Sequence, residues 1–144
     1  MDVPIESRIR ALTAGLLTDD RVAALYLFGS HAQGAAGPSS DIDVGVLLAA
    51  RVGREEYFTL RLQYLGRCMD LLGTDKVDLV ILNDAPPILA YEVVSRGRLL
   101  CQNNREERVT FEADRVGKYL DFKPFLEVQV RTTKAHLLKG SFFD

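Results

Sequence analysis

Five residues of this chain have the types and spacing of phosphoryl chemistry. Gly29 and Ser30 close an apolar run, Asp41 and Asp43 follow after ten intervening residues, and Asp78 interrupts a later apolar segment. A glycine-serine corner after a strand offers backbone N–H groups unhindered by a Cβ and one hydroxyl, the donors needed to anchor a polyphosphate near a helix start. Taken alone, the same dipeptide reads as a plain turn. Residues two apart on a strand project from one face, so Asp41 and Asp43 can share divalent ions with the oxygens of a triphosphate. Their repulsion is relieved when Mg²⁺ lies between them, and two such ions about 3.5–4 Å apart stabilise both the attacking and the leaving oxygen of an in-line displacement. Alternating aspartates also suit the solvated face of an edge strand. Asp78 on a neighbouring strand would add a third carboxylate to the pair, its other reading being a residue facing water or a helix dipole.

These residues need particular elements to position them. Ile5, Ile9, Leu12 and Leu16 have helical spacing and end in Thr18-Asp19-Asp20, which predicts a first amphipathic helix over about 5–17. Val22 to Phe28 is short, apolar and rich in strand formers, and reads as a buried strand stopped by Gly29-Ser30. Gly34 to Ser40, with Pro38, is an expected loop. Ile42, Val44, Val46 and Leu48 alternate with Asp41 and Asp43, so the aspartates share a strand face. Gly53 to Leu72 carries Phe58, Leu62, Leu65, Met69 and Leu72 at helical spacing, with Gly73 as its stop. Lys76 to Leu82 reads as a strand with Val77, Leu79 and Ile81 on one face and Asp78, Val80 and Leu82 on the other.

Asn83 to Pro87 makes a turn and a helix start leading through Val94 to Gly97, and Leu99-Leu100 suggests a short final strand. From Arg105, Val109, Ala113, Val116 and Leu120 form a narrow helical stripe, which Pro124 is expected to bend or interrupt. Beyond it, Leu126, Val128 and Val130 alternate like a strand, while Leu126, Val130, Thr133 and Leu137 satisfy helical spacing; helix is the favoured reading. Tyr119, Phe122 and Phe125 read as packing this tail onto the rest, with a partner-facing patch as the alternative.

The 144 residues suffice for one domain with its own core, so the chain is expected to be a single unit over 1–144 with a helical extension over about 105–144. With 47% hydrophobic and 26% charged residues, it has the balance of a soluble globular protein. A net charge of −2 argues against direct binding to nucleic acid through a broad basic field. Cys68 and Cys101 stand far apart without CxxC or histidine-rich company and read as buried free thiols rather than zinc ligands. The start has no basic stretch leading into an apolar run, and no window approaches the roughly 18 apolar residues of a membrane span. A cytoplasmic location is expected.

The joint pattern of Gly29-Ser30, Asp41-Ile42-Asp43 and Asp78 resembles the nucleotidyltransferase superfamily that includes DNA polymerase beta and the antibiotic nucleotidyltransferases. Over about residues 5 to 140 the short chain is more closely similar to the minimal nucleotidyltransferases, the antitoxins paired with HEPN ribonuclease toxins in prokaryotic two-gene modules. The similarity includes Ala85-Pro86-Pro87, Gly97 and the segment Tyr119-Leu120-Asp121-Phe122-Lys123-Pro124.

The resemblance implies an α/β fold, a small mixed β-sheet with flanking helices and a C-terminal helical extension. It implies the antitoxin of a type VII-like system, a Mg²⁺-dependent adenylyltransferase that moves AMP from ATP to a tyrosine of a cognate HEPN toxin and silences it. Gly29 and Ser30 would anchor the triphosphate, Asp41 and Asp43 would share two Mg²⁺ ions, and Asp78 would be the third carboxylate, a metal ligand that orients or deprotonates the incoming hydroxyl. The working form would be a hetero-oligomer with the toxin, and a homodimer is compatible with it.

One departure stands out. His31-Ala32-Gln33-Gly34 has glutamine where many relatives place arginine, so a cationic phosphate contact is absent or supplied elsewhere. Two other readings therefore stay open: a non-catalytic antitoxin that occludes its toxin, and a small-molecule or RNA nucleotidyltransferase working with a separate substrate-binding subunit. His31 is either a phosphate donor or an ordinary loop residue. Ser40 either bonds near the metals or begins the strand as a turn residue.

Overall fold

The computed structural model describes residues 4–34, 36–37 and 40–139, with side chains through residue 132. Pro38 of the expected loop, and the side chains of Thr133 and Leu137 in the tail pattern, lie outside the described residues. The elements are α1 (Ile5–Leu17), β1 (Val22–Phe28), β2 (Ile42–Leu48), α2 (Tyr57–Leu72), β3 (Val77–Ile81), α3 (Pro87–Arg96), β4 (Arg98–Gln102) and α4 (Arg105–Lys139). The strands form one sheet in the order β3-β2-β1-β4. β1 runs antiparallel to β2 and β4, while β2 and β3 are parallel, so the sheet is mixed. That parallel pair requires a crossover, which α2 provides.

Helices cover both sheet faces. Ile9, Leu12 and Leu16 of α1 and Leu60, Tyr64, Cys68 and Leu72 of α2 pack on Leu25, Leu27, Val44, Val46 and Leu79. On the opposite face, Ala90 and Val93 of α3 and Phe111 of α4 pack with Tyr26, Phe28 and Leu47. Interior strand β1 is therefore buried at every position, which explains its unbroken apolar sequence. β2 is interior too, so its aspartate pattern does not belong to an edge strand.

Four expectations need correction. A 3-10 turn at Arg54–Glu56 precedes α2, and the row facing the sheet is Leu60, Tyr64, Cys68 and Leu72. Phe58 and Leu62 lie outside, 70% and 50% exposed. Leu65, Met69 and Leu72 do pack on the core as expected, so the error lies in the first turns, where Phe58-Leu62 and Leu60-Tyr64 have the same i, i+4 spacing and spacing alone does not choose between them. Gly73 caps it as expected, with φ 68° and its N–H on the Met69 carbonyl at 2.9 Å.

In α4, Val109 and Leu120 are exposed and Phe111 is the buried residue. The inward face is largely polar and held by hydrogen bonds. Tyr26 donates to Glu112 at 2.6 Å, Arg115 donates to the Asn83 carbonyl at 2.8 Å, and the Arg115 guanidinium lies 4.9 Å from the Phe111 ring centroid. Hydrophobic periodicity cannot register such a face.

The helix also runs through Pro124 without interruption. The proline lacks an N–H for the Leu120 carbonyl, but both residues are exposed, so water can take that acceptor. Tyr119 packs as expected, stacked on Tyr91 of α3 with ring centroids 3.8 Å apart. Phe122 and Phe125 do not, being exposed. Cys68 is buried, Cys101 half-buried, and both are free thiols. Among the described residues, no helix is long and apolar enough to cross a membrane.

Candidate active site

Asp43 is the centre of the site because two strand ladders meet on it. Across the antiparallel ladder it faces Phe28, the last residue of β1. Across the parallel ladder it is in register with Asp78 of β3, so the two carboxylates belong to strands about 4.7–4.9 Å apart. Asp41 immediately precedes β2 and shares the face of Asp43 by alternation. Asp41 and Asp78 are exposed and Asp43 is half-buried. The three predicted carboxylates thus come together on the α3 side of the sheet.

Gly29 completes the corner. Its φ of 72° is left-handed, and a Cβ there would overlap the Asp43 Oδ2 and lie 3.1 Å from its Cγ. Only glycine satisfies both demands. The chain then enters a 3-10 turn at Gly29–His31, so the expected anchor near a helix start is corrected to a short turn. The Gln33 N–H donates to the Ser30 carbonyl at 3.3 Å, and Gly34 returns the chain at φ 69°.

His31 Nε2 lies 3.3 Å from the Ser40 carbonyl oxygen, tying this turn to the approach of β2. Ser40 acts as a turn residue: its Oγ accepts from the Gly37 N–H at 3.0 Å, and its own N–H donates to the Gly37 carbonyl at 3.1 Å.

The electrostatics follow from this crowding. Burial pushes the Asp43 carboxyl above its ordinary range, and the charges of Asp78 and Asp41 push it further, while His31 opposes them. Glu92 on α3 adds a smaller push in the same direction. Glu92 gave no signal in the sequence, since an exposed glutamate on a helix surface is unremarked until the fold sets α3 beside the sheet. Arg61 of α2 was missed for the same reason: its Nη2 stands 3.9 Å from Asp78 Oδ1.

Among the described residues, no three acidic, histidine or cysteine side chains already enclose one point as a metal cage. The donors that do converge are hard carboxylate oxygens, open to solvent. That chemistry suits Mg²⁺, which retains waters and takes phosphate oxygens alongside one or two carboxylates. The space that a Gly29 side chain would fill is taken by the Asp43 carboxylate, so the missing Cβ sets this ligand directly against the corner.

Residues 12–106 match the protein family described as Polymerase beta, Nucleotidyltransferase. The chain is 33% identical over 96 residues to a protein adenylyltransferase, MntA, of Shewanella oneidensis, an alignment spanning 65% of this chain and 66% of that one. The chain thus spans just under two thirds of the length of that relative.

Among solved structures, a toxin-antitoxin with AMP-PNP superposes with a TM-score of 0.69 at 25% identity, covering 90% of this chain and 98% of that one. The MNT antitoxin structure in complex with the tri-AMPylated HEPN toxin of Shewanella oneidensis gives 0.68 at 22% identity, covering 91% and 99%. That second likeness is one of fold.

Proposed function

Because this chain belongs to the polymerase beta nucleotidyltransferase family, we propose that it is the antitoxin of a HEPN toxin-antitoxin pair and silences its toxin by transferring AMP from ATP to a tyrosine hydroxyl. The observation that carries this reading is the in-register pair Asp43 and Asp78 beside a glycine whose missing Cβ leaves the Asp43 carboxylate its room. The adenylyltransferase name of the Shewanella relative and the AMPylated toxin beside a structural neighbour supply the substrate class. The chain works as one domain over its 144 residues, in the cytoplasm, in a hetero-oligomer with the toxin.

Each residue then has a task. The Gly29 and Ser30 corner holds the triphosphate, Asp41 and Asp43 hold the metal, and Asp78 completes the ligand set and faces the acceptor. The tyrosine oxygen attacks the α-phosphorus in line. An O–P bond forms as the bond to the bridging oxygen of the β-phosphate breaks, pyrophosphate leaves, and the phenol proton passes to Asp78. Bound between these carboxylates and ATP, two Mg²⁺ ions would neutralise the charge that develops on the transferring group.

The test uses the chain, Mg²⁺, labelled ATP and the product of the adjacent gene. Label on that partner, with a mass gain of AMP, is expected from the native chain and not from Asp41→Ala or Asp43→Ala. Gln33 favours a second reading, in which the chain occludes its toxin without transfer. Protection of the partner without label would establish that reading and remove the first.

A further inference from the structure

We propose that Arg61 is a positioning residue for the transfer step, acting through Asp78; the inference rests on the function proposed above. Arg61 belongs to α2, which packs on the sheet face opposite the carboxylates. Its side chain reaches round β3, an outer strand of the sheet. Nε donates to the Leu79 carbonyl at 3.0 Å, while Nη2 stands 3.9 Å from Asp78 Oδ1. The Nε bond fixes the planar fork, so the remaining N–H groups present a positive edge toward the Asp78 carboxylate.

Fold stability does not account for this arrangement. The two side chains are 41% and 56% exposed, and pairs so exposed contribute about 0–1 kcal/mol to folding. The electrostatics of the site do account for it. Asp41 and Asp78 both repel Asp43, with Glu92 adding to the same field, and repulsion drives the exposed Asp78 carboxylate outward, toward solvent. A cation on that flank, 3.9 Å from Oδ1, lowers the net negative charge of the cluster and gives the repelled carboxylate a defined place to rest. With glutamine at position 33 in the phosphate-binding turn, Arg61 brings a positive charge to the acceptor side instead.

The consequence is a division between the two substrates. Arg61→Gln should lower kcat for AMP transfer to the partner by about tenfold, a fraction of what a general base contributes, and leave the KM for ATP unchanged. Arg61→Lys should recover part of the rate, keeping the charge without the fork. In an Asp78→Asn background, Arg61→Gln should cost nothing further, because a residue acting through Asp78 is coupled to it.

The experiment measures labelled transfer in the complex with the adjacent gene product, at varied ATP, for the native chain, both Arg61 variants, Asp78→Asn and the double variant. Native kcat in Arg61→Gln, a loss confined to the KM for ATP, or an effect fully additive with Asp78→Asn would overturn the proposal. Should Arg61→Gln not fold, Arg61→Lys decides, since it must show a reduced kcat at unchanged KM. A native complex that transfers no AMP overturns the functional reading and this inference together, whereas native transfer with an indifferent Arg61 overturns this inference alone.

Discussion

The Asp43 carboxylate fills the space into which a side chain at Gly29 would project, so the glycine that ends β1 and the central acid of the site are sterically coupled. Gly29→Ala therefore disturbs the site twice, by forcing a left-handed residue to carry a Cβ and by displacing a carboxylate. The backbone cost is about 1–2 kcal/mol, a modest loss in chemical denaturation. The displacement is expected to reduce AMP transfer by about a hundredfold, the scale at which a misplacement near 1 Å acts. Native-like transfer by a folded Gly29→Ala chain would break the coupling argued here.

Asp43 and Asp78 are like charges directly paired across a ladder, an arrangement that destabilises a sheet by about 0.2–1 kcal/mol. Without metal, Asp78→Asn should therefore raise stability by about 0.5 kcal/mol in urea titrations with a chelator present. The same variant should lose transfer by about a hundredfold or more, as expected when a proton acceptor is removed. Adding Mg²⁺ with a non-hydrolysable ATP analogue should raise the melting temperature of the native chain and leave that of Asp43→Asn unchanged. A destabilised Asp78→Asn would show that the pair is not repulsive in the metal-free protein.

What the sequence discloses here depends on how far apart the cooperating residues stand. The Gly29-Ser30 corner, the Asp41-x-Asp43 alternation and the buried run of β1 are local patterns, and each element formed where its spacing placed it. The convergence of Asp78 was reasonable to expect, but its register depends on a parallel pairing that no local pattern encodes. In α2 periodicity placed Leu65, Met69 and Leu72 on the core correctly but took Phe58 and Leu62 in place of Leu60 and Tyr64 over the first turns. In α4 it failed because Glu112 and Arg115 face inward through hydrogen bonds to residues 86 and 32 positions away. Arg61 and Glu92 went unread because their relation to the carboxylates exists only after the sheet has formed.

Asp19 provides a pH signature in the turn between α1 and β1. Its carboxylate accepts from the Arg21 Nε at 3.0 Å and Nη2 at 2.8 Å, and from the Tyr64 hydroxyl at 2.9 Å. The Arg21 hydrogen bonds are the main reason its pKa is held at about 2, well below the ordinary carboxylate range. A pKa depressed by folding gives stability that is fully present above the unfolded value of about 4. That stability is lost as the pH falls from about 4 through about 2, and amounts to about 2 kcal/mol. Urea titrations across that window should show a steep decline in the native chain and a shallower one in Asp19→Asn. Equal slopes in the two proteins would remove Asp19 as the cause.

The hydrogen bond from Tyr26 to Glu112 joins central strand β1 to α4 across 86 residues of chain, at 2.6 Å. Burial and the neighbouring carboxylate push the Tyr26 phenol far above its ordinary pKa, so it remains a donor at every working pH. Arg108 holds the other oxygen of Glu112 at 2.9 Å. Tyr26→Phe leaves Glu112 with that arginine but deprives a part-buried carboxylate of its strand partner, a loss of about 1–2 kcal/mol. Since α4 reaches the sheet through only a few such contacts, the effect should concentrate there, with amide exchange over residues 105–119 accelerating more than in β2. Transfer should persist, because Tyr26 pairs with Gly45 and stands two positions before the corner at Phe28 that faces Asp43. Unchanged exchange in α4 would show that Arg115 and the Tyr91–Tyr119 stack hold this helix without the tyrosine.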